Sequence, residues 1–268
     1  MNYQGAQSGR WSSDRPNIAN GPKSMVPSGL FDHTKTALIT DLDGCLVNAT
    51  EMIQIFFWDR YQRWIPAGVI HEFNIANCVY KYVEDLYKNP EELGRALWEG
   101  LWNVGTWYQN ARPHYPYWQA LLSWQDHAQT PPRFLTARPD CLYATTLGWL
   151  NRWGLHPEPS CCVLEGASAH KLKHLARWAQ QYGNLVYIDD RVSTILGIAR
   201  AKIPGLQLVL FAQPWNAADS PDWESFVLEG RPALEHREFD LYLHHGFDLG
   251  FRRLSEVEIA EAIYKGLE

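Results

Sequence analysis

Asp41 and Asp43 stand one residue apart at the end of the apolar, β-branched run TALIT, within the stretch TALITDLDGCLVN. Asp189 and Asp190 close a second such run, NLVYIDD, while Thr136 ends RFLT and Lys171 opens a helical pattern behind CCVLEGASAH. A carboxylate withdrawn from water is costly unless something compensates it, and a second negative charge nearby adds to the cost. A hard divalent cation is one compensation, since Mg²⁺ prefers carboxylate and carbonyl oxygens and keeps some of its waters. With Mg²⁺ held by Asp41, Asp43 and the Asp189–Asp190 pair, the direct ligand of that pair being open between Asp189 and Asp190, one ionised oxygen of Asp41 can attack phosphorus. Asp43 can protonate the departing alkoxide and later take a proton from water. Thr136, with Ala137 after it, and Lys171 can hold the non-bridging oxygens as charge redistributes. The set therefore predicts transfer of a phosphoryl group to water.

Such a set works only if the fold brings the strand ends together. Five short apolar segments read as buried strands: TALIT, RFLTA, CCVLE, NLVYIDD and LQLVLF. Between them CLYATTLGWLNRWGL, KLKHLARWAQQYG and STILGIARAKIPG show helical spacing and end at glycine or proline. Alternating strands and helices predict a parallel, Rossmann-like α/β sheet with right-handed crossovers, in which ligands bind beyond the carboxyl ends of the strands. Residues 49–112 have a different texture, with the helical segments ATEMIQIFFWDRYQRW, ANCVYKYVEDLYKN and NPEELGRALWEGLWNVG. They are expected to form a helical cap inserted after the first strand. Asn89 before Pro90, with Glu91 and Glu92 behind it, marks one helix start. The core is expected to comprise 35–48 and 113–268. Residues 1–34, rich in Gly, Ser, Asn and Pro, read as a polar tail. After Phe211 the chain reads as irregular up to LSEVEIAEAIYKG, where Ser255 and Glu258 form a capping-box pattern.

Composition narrows the classes. The chain has 268 residues, 46% of them hydrophobic, enough for one large α/β domain carrying an insertion. A net charge of −6 and a pI near 5.9 disfavour long nucleic acid as a partner, although they leave room for a local pocket for one phosphate. Five cysteines without C-x-x-C spacing read as reduced thiols, so a cytoplasmic location is expected. No apolar run approaches the roughly 20 residues that span a bilayer. His244 and His245 read as surface residues, and Cys161 and Cys162 as buried apolar ones.

The stretches ITDLDGCLVN, FLTARPD, AHKLKHL and VYIDDR, in this order, resemble the motifs of the haloacid dehalogenase-like phosphotransferases, over about Thr36 to Phe211. The resemblance implies Asp41 as a nucleophile forming an aspartyl phosphate and Asp43 as acid/base. It also implies Thr136 and Lys171 on the phosphate, with Asp189 and Asp190 at magnesium. Cys45 departs from the Thr or Val usual at its position. Lys173 competes with Lys171, which is preferred because a lysine at the start of the helix can face the strand ends. Arg138 either binds phosphate or pairs with a carboxylate, and Arg191 is expected to pair with a core aspartate.

The long cap, the approach GTWYQNARPHYPYWQALLSW to FLTARP, and the later LFAQPWN and DWESF resemble the 5′(3′)-deoxyribonucleotidase group. A small phosphorylated substrate, a nucleoside monophosphate, is then implied. Phe57, Tyr61, Trp107 and Tyr108 are the aromatic candidates to stack on a base, set against the commoner fate of helical aromatics, which is to pack the cap core. Two other readings stand beside this one. A polynucleotide 3′-phosphatase of the end-repair type shares TARPDCLYATTLGWL and VYIDDR, but should have a more open, more basic site. A non-catalytic scaffold with this fold should lack one of nucleophile, acid/base, lysine or metal carboxylate, and the chain has all four. The C-terminal helix is expected to pack on the sheet; a homodimer contact through it is the alternative, with no feature of the sequence to support it.

Overall fold

The computed structural model describes residues 30–72, 74–102, 105–159, 162–164, 170–217 and 251–267. Six strands form one sheet: β1 (Thr36–Thr40), β2 (Arg133–Thr136), β3 (Cys162–Leu164), β4 (Asn184–Asp189), β5 (Leu206–Phe211) and β6 (Phe251–Leu254). All pairings are parallel, in the order β3-β2-β1-β4-β5-β6. The order reverses at β1, whose neighbours are β2 and β4, and such a reversal opens a crevice beyond the strand ends where ligands bind. The register sets Thr40 beside Phe134 on one side and Ile188 on the other, so Asp41 and Asp189 leave the sheet at nearly the same level.

Every residue of β1 and β2 is buried, as expected for parallel strands covered on both faces. Alternation along the strands divides the core in two. Leu38, Phe134, Val186, Ile188 and Val209 point to the larger cluster, packed by α5 (Tyr115–His127), α6 (Tyr143–Arg152) and the C-terminal helix α9 (Glu256–Leu267). Ala37, Ile39, Leu135, Leu185 and Tyr187 point to the other, under α7 (Lys171–Tyr182) and α8 (Val192–Arg200). The result is a Rossmann-like three-layer core, as read from the alternation of strands and helices.

A helical cap interrupts the core after β1. It contains α1 (Ala49–Tyr61), the short α2 (Ile75–Val79), α3 (Pro90–Leu97), a π-turn over Trp98–Trp102, and α4 (Gly105–Asn110). The chain leaves and returns at one point. Asn48 N donates to Arg112 O at 2.9 Å, His114 N donates to Leu46 O at 2.8 Å, and Val47 bridges Pro113. Asn48 caps α1 by accepting from Glu51 N, and Asn89 caps α3 by accepting from Glu92 N, so the start read at Asn89-Pro90 is present. The Ser255–Glu258 capping box is present too, with Ser255 N donating to Glu258 Oε2 at 2.8 Å. Among the described residues no helix is long and apolar enough to cross a membrane.

Three expectations differ from the structure. ANCVYKYVEDLYKN forms only α2 and a 3₁₀ turn at Tyr80–Tyr82, because its run of β-branched and aromatic residues, with Val83, has poor helix propensity. The core begins before residue 35: Leu30 and Phe31 are buried, and Phe31 packs edge-on against Trp124 at 6.5 Å. The segment after Phe211, read as irregular, contains the edge strand β6, in which Phe251 and Leu254 are buried around two arginines. Residues 1–29, Cys161, DWESF, His244 and His245 lie outside the described residues.

The turn after β1 depends on Gly44. Its φ is +82°, and a Cβ there would stand 2.2 Å from Asp190 Oδ2 and 3.1 Å from the Trp215 ring. Gly148, inside α6, has open space around it. Gly44→Ala is therefore expected to destabilise by about 1–3 kcal/mol through backbone strain and the clash. Gly148→Ala is expected to stabilise by up to about 1 kcal/mol. Urea unfolding of both variants checks this, and equal effects of the two would contradict the proposed role of the turn.

Candidate active site

Three predicted strand ends and one helix start converge. Asp41 follows β1, Thr136 ends β2, Asp189 ends β4 and Asp190 follows it. Lys171, the first residue of α7, reaches across to them. Its Nζ donates to Asp41 Oδ2 at 2.7 Å and to Asp189 Oδ2 at 2.8 Å, with the side chain 1% exposed. Burial alone would push this ammonium toward neutrality, but the Asp189 and Asp41 carboxylates outweigh it and hold the lysine charged. Lys173, two residues on, lies on the exposed side of the helix. Of the two lysines, only Lys171 meets the carboxylates.

Asp41, Asp189 and Asp190 each place a carboxylate oxygen within 4.8 Å of the others. Asp41 Oδ1 accepts from Leu42 N at 2.7 Å. Asp189 is fully buried and accepts from Lys171, from the Tyr187 hydroxyl, and from Arg191 N at 2.8 Å. Asp190 Oδ2 accepts from Trp215 Nε1 at 2.8 Å, and its backbone carbonyl accepts from Asn216 Nδ2 at 2.8 Å. Three carboxylates face one ammonium, so the fully ionised cluster carries an excess of two negative charges. Burial raises the Asp41 pKa to about 6, against the opposing pull of Lys171. Burial, then Asp189 and Asp41, push Asp190 well above the ordinary carboxylate range. An all-oxygen donor set with this charge excess fits a hard divalent cation such as Mg²⁺. Asp190, less encumbered by hydrogen bonds than Asp189, is the better placed of that pair to turn an oxygen to it.

Asp43 stands apart from this group. Both its oxygens accept from Arg138, Nε to Oδ2 at 2.8 Å and Nη2 to Oδ1 at 2.6 Å, and Arg138 Nη1 donates to Thr146 Oγ1 at 3.1 Å. The Arg138 guanidinium also lies 3.9 Å from the centroid of the Tyr108 ring. The Asp43 carboxylate, expected at the metal, is engaged by this bidentate pair and is not in the group formed by Asp41, Asp189 and Asp190. Of the two alternatives read for Arg138, the carboxylate pairing is present: its fork meets Asp43 and its plane lies over Tyr108. Thr136 is buried and lines the cavity, its Oγ1 accepting from Arg138 N at 3.4 Å, and Ala137 lines the cavity beside it. For Arg191, the contact with Asp189 is made by its backbone N–H.

A cavity of about 420 Å³ opens above these groups. Asp41, Asp43, Thr136, Asp189 and Asp190 form its floor. Asn74, Ile75, Ala76, Leu97 and Trp98 of the cap, together with Tyr108 and Pro139, form its walls. Of the four aromatics put forward for base stacking, Tyr108 lines this cavity and three do not. Phe57 is fully buried; Trp107 packs edge-on against Phe56 at 5.2 Å; the Tyr61 hydroxyl bonds that of Tyr87. Phe56, Phe57, Tyr61 and Trp107 form the aromatic interior of the cap. The cavity-facing aromatic missed from the sequence is Trp98, 56% exposed at the first position of the π-turn. Trp215 and Tyr187, which hold Asp190 and Asp189, were missed as well. Strand alternation puts Tyr187 on the same face as Asp189, and that signal was readable.

No family model matches the chain, and no curated protein does. Solved structures of similar arrangement include a haloacid dehalogenase-like hydrolase of Burkholderia xenovorans, 12% identical with TM-score 0.47, matched over 88% of this chain and 99% of that one. They include a HAD-superfamily hydrolase, subfamily IA, of Geobacter sulfurreducens, 14% identical with TM-score 0.44, over 78% and 97%. An L-2-haloacid dehalogenase of Xanthobacter autotrophicus with chloropropionic acid covalently bound is 8% identical with TM-score 0.43, over 86% and 98%. At these identities and scores none of them assigns a role to a residue of this chain.

Proposed function

We propose that this chain is a Mg²⁺-dependent phosphomonoesterase of the haloacid dehalogenase type, acting on nucleoside monophosphates of the kind hydrolysed by 5′(3′)-deoxyribonucleotidases. The observation that carries the reading is the meeting of Asp41, Asp189, Asp190 and Lys171 at the point where the parallel sheet reverses its strand order. Asp41 and Asp190 would hold the ion, which supplies charge neutralisation on the transferring phosphoryl oxygens. An Asp41 oxygen attacks phosphorus and the ester P–O bond breaks, giving an aspartyl phosphate. Asp43 delivers a proton to the departing alkoxide. It then accepts a proton from the water that attacks the aspartyl phosphate, releasing inorganic phosphate and restoring Asp41. For either transfer one Asp43 oxygen must turn from Arg138 to the substrate. Thr136, the Ala137 backbone and Lys171 border the phosphoryl position.

The walls support the choice of leaving group. Ile75, Ala76, Leu97, Trp98, Tyr108 and Pro139 make a largely apolar enclosure beside an acidic floor. A compact ester with a charged end and a flat apolar end matches that division, and a ring stacked on Trp98 would gain about 1–3 kcal/mol. The cap covers the floor, which favours free mononucleotides over the ends of long strands.

Three outcomes are expected. Phosphate release should occur with free nucleoside monophosphates and Mg²⁺, and Asp41→Asn should lower it about ten-thousandfold or more while the fold persists by circular dichroism. Release from 3′-phosphorylated oligonucleotides alone would replace this reading with the end-repair one, and near-normal turnover by Asp41→Asn would end the covalent route. Trp98→Ala should raise KM for nucleotides about 5- to 150-fold with little change in kcat. A fall in kcat alone would remove Trp98 from the binding wall. The third outcome is a pH dependence. The metal-free native state holds the Asp41 proton more tightly than the unfolded chain, so this group's contribution to stability falls as pH rises from 3.8 through about 6. Mg²⁺ binds the ionised carboxylates, and burial raises Asp190 as well as Asp41, so its gain in Tm should grow as pH rises through about 6 and fade below it. An equal gain at about pH 5 and about pH 7.5 would show that Asp41 does not hold the ion.

A further inference from the structure

A second group of ligand-bearing side chains lies in the cap, away from the carboxylate floor and of different chemistry. His71, Glu72 and Cys78 offer a ring nitrogen, a carboxylate oxygen and a thiol sulfur, all within 4.8 Å of one another. They come from one eight-residue stretch running into α2. A nitrogen, oxygen and sulfur set is borderline-soft and suits Zn²⁺, whereas the oxygen set of Asp41, Asp189 and Asp190 suits Mg²⁺.

Each of the three donors is oriented by a further hydrogen bond, the arrangement that positions metal ligands. His71 Nδ1 donates to Val69 O at 2.7 Å, which fixes the tautomer and leaves the Nε2 lone pair turned toward Glu72 Oε1, 3.8 Å away. Glu72 Oε2 accepts from Asn77 Nδ2 at 3.2 Å, leaving Oε1 for the ion. Cys78 Sγ accepts from Glu72 N at 3.3 Å, a bond that strengthens as the sulfur gains charge. Two nitrogen or oxygen ligands of a tetrahedral zinc stand about 3.4 Å apart, so the His71–Glu72 pair at 3.8 Å needs little movement and no pair in the group needs to close by more than about 1.4 Å. The side chains of His71 and Glu72 are 54% and 23% exposed, which gives an ion a path from solvent, while Cys78 is buried beneath them.

We propose that His71 Nε2, Glu72 Oε1 and Cys78 Sγ bind one Zn²⁺ ion, with water in the fourth position, and that this ion fixes the cap segment forming one wall of the cavity. Binding replaces the thiol proton of Cys78, which passes to solvent, by a Zn–S bond. The consequence for the cavity follows from sequence adjacency. Asn74, Ile75 and Ala76, between Glu72 and Cys78, line it. An ion joining residues 71, 72 and 78 closes a loop around them and restricts their freedom. The inference does not depend on the phosphatase reading, since a cap metal can be present whatever the floor does.

The test uses the full chain, stripped of metal, in excess Mg²⁺ so that hard-oxygen sites are filled, and titrated with Co²⁺ as a coloured stand-in and then with Zn²⁺. The expected result is one equivalent of Co²⁺ with a thiolate-to-cobalt charge-transfer band and the strong visible absorption of four-coordinate cobalt, displaced by Zn²⁺. Cys78→Ser should abolish the band. His71→Ala, at an exposed position, should weaken Zn²⁺ binding at least about tenfold, and Asn77→Ala about 10- to 100-fold. Amide hydrogen exchange across residues 74–79 should slow with Zn²⁺ in the wild type and not in His71→Ala. Absence of the thiolate band, its survival in Cys78→Ser, its removal by Mg²⁺, or unchanged affinity in both His71→Ala and Asn77→Ala would each overturn the proposal.

Discussion

The Lys171 ammonium, shared at 2.7 and 2.8 Å between Asp41 and Asp189, is the interaction on which the strand-end architecture rests. Both carboxylates are withdrawn from water by the sheet and the helices over it, and each repels the other and Asp190. One buried cation between two anions makes the arrangement tolerable, and removing one member of such a group leaves uncompensated charge at about 3–5 kcal/mol. The lysine can reach there because it opens α7, where its side chain extends past the helix end toward the crevice at the sheet's reversal. Tyr187 and the Arg191 backbone complete the shell around Asp189. Asp189 is thereby committed to the protein's own donors. Asp41 and Asp190 are left as the members with capacity for an external cation.

The cap is tied to this centre through more than its hinge. Asn48, Leu46 and Val47 on the outgoing strand meet Arg112, His114 and Pro113 on the return, so any rocking of the cap pivots at the turn carrying Asp43 and Gly44. That turn is gripped from the core by Gln213, whose Nε2 donates to Gly44 O at 2.6 Å, and by the fit of Gly44 against Asp190. On its other side Asp43 is held by Arg138, and the face of Arg138 is covered by Tyr108 from α4. A cap aromatic, a core arginine and the acid/base candidate therefore form one stack. Displacing Tyr108 would change the packing of the group that fixes where Asp43 points.

What could be read from the sequence follows how local each cause is. The five core strands and their helices were legible because runs such as TALIT and LVYID carry their own burial signal, and parallel topology then forces Asp41, Thr136 and Asp189 to one edge. Helical geometry favoured Lys171 over Lys173 without deciding between them. β6 escaped because a four-residue edge strand with two arginines has no apolar run, and only β5 beside it makes it a strand. The Arg138–Asp43 pair spans 95 residues and depends on rotamers that no spacing encodes. The cap aromatics failed for a related reason. In a segment as rich in rings as 56–108, which ring faces the interior is decided by how α1, α3 and α4 pack together. Trp107 turned to Phe56, while the π-turn delivered Trp98 to the rim.

The charge balance of the floor also constrains the order of events. With Asp41, Asp189 and Asp190 ionised and Lys171 the ammonium set between two of them, a phosphate monoester carrying its own negative charge would be repelled from the position where reaction is proposed. Arg138 offers no relief, because its fork is already spent on Asp43. The same excess that excludes the anion is what attracts a divalent cation, and once the excess is neutralised Lys171 and the Thr136 edge of the cavity can act on the phosphoryl oxygens. The floor thus favours loading the cation before the ester. The apolar walls of Ile75, Leu97 and Trp98 then contribute only after that neutralisation, by accepting the part of the ester that the floor does not bind. On the proposed function, selectivity in such a site divides in two: the strand ends would decide that a phosphate is taken, and the cap which one.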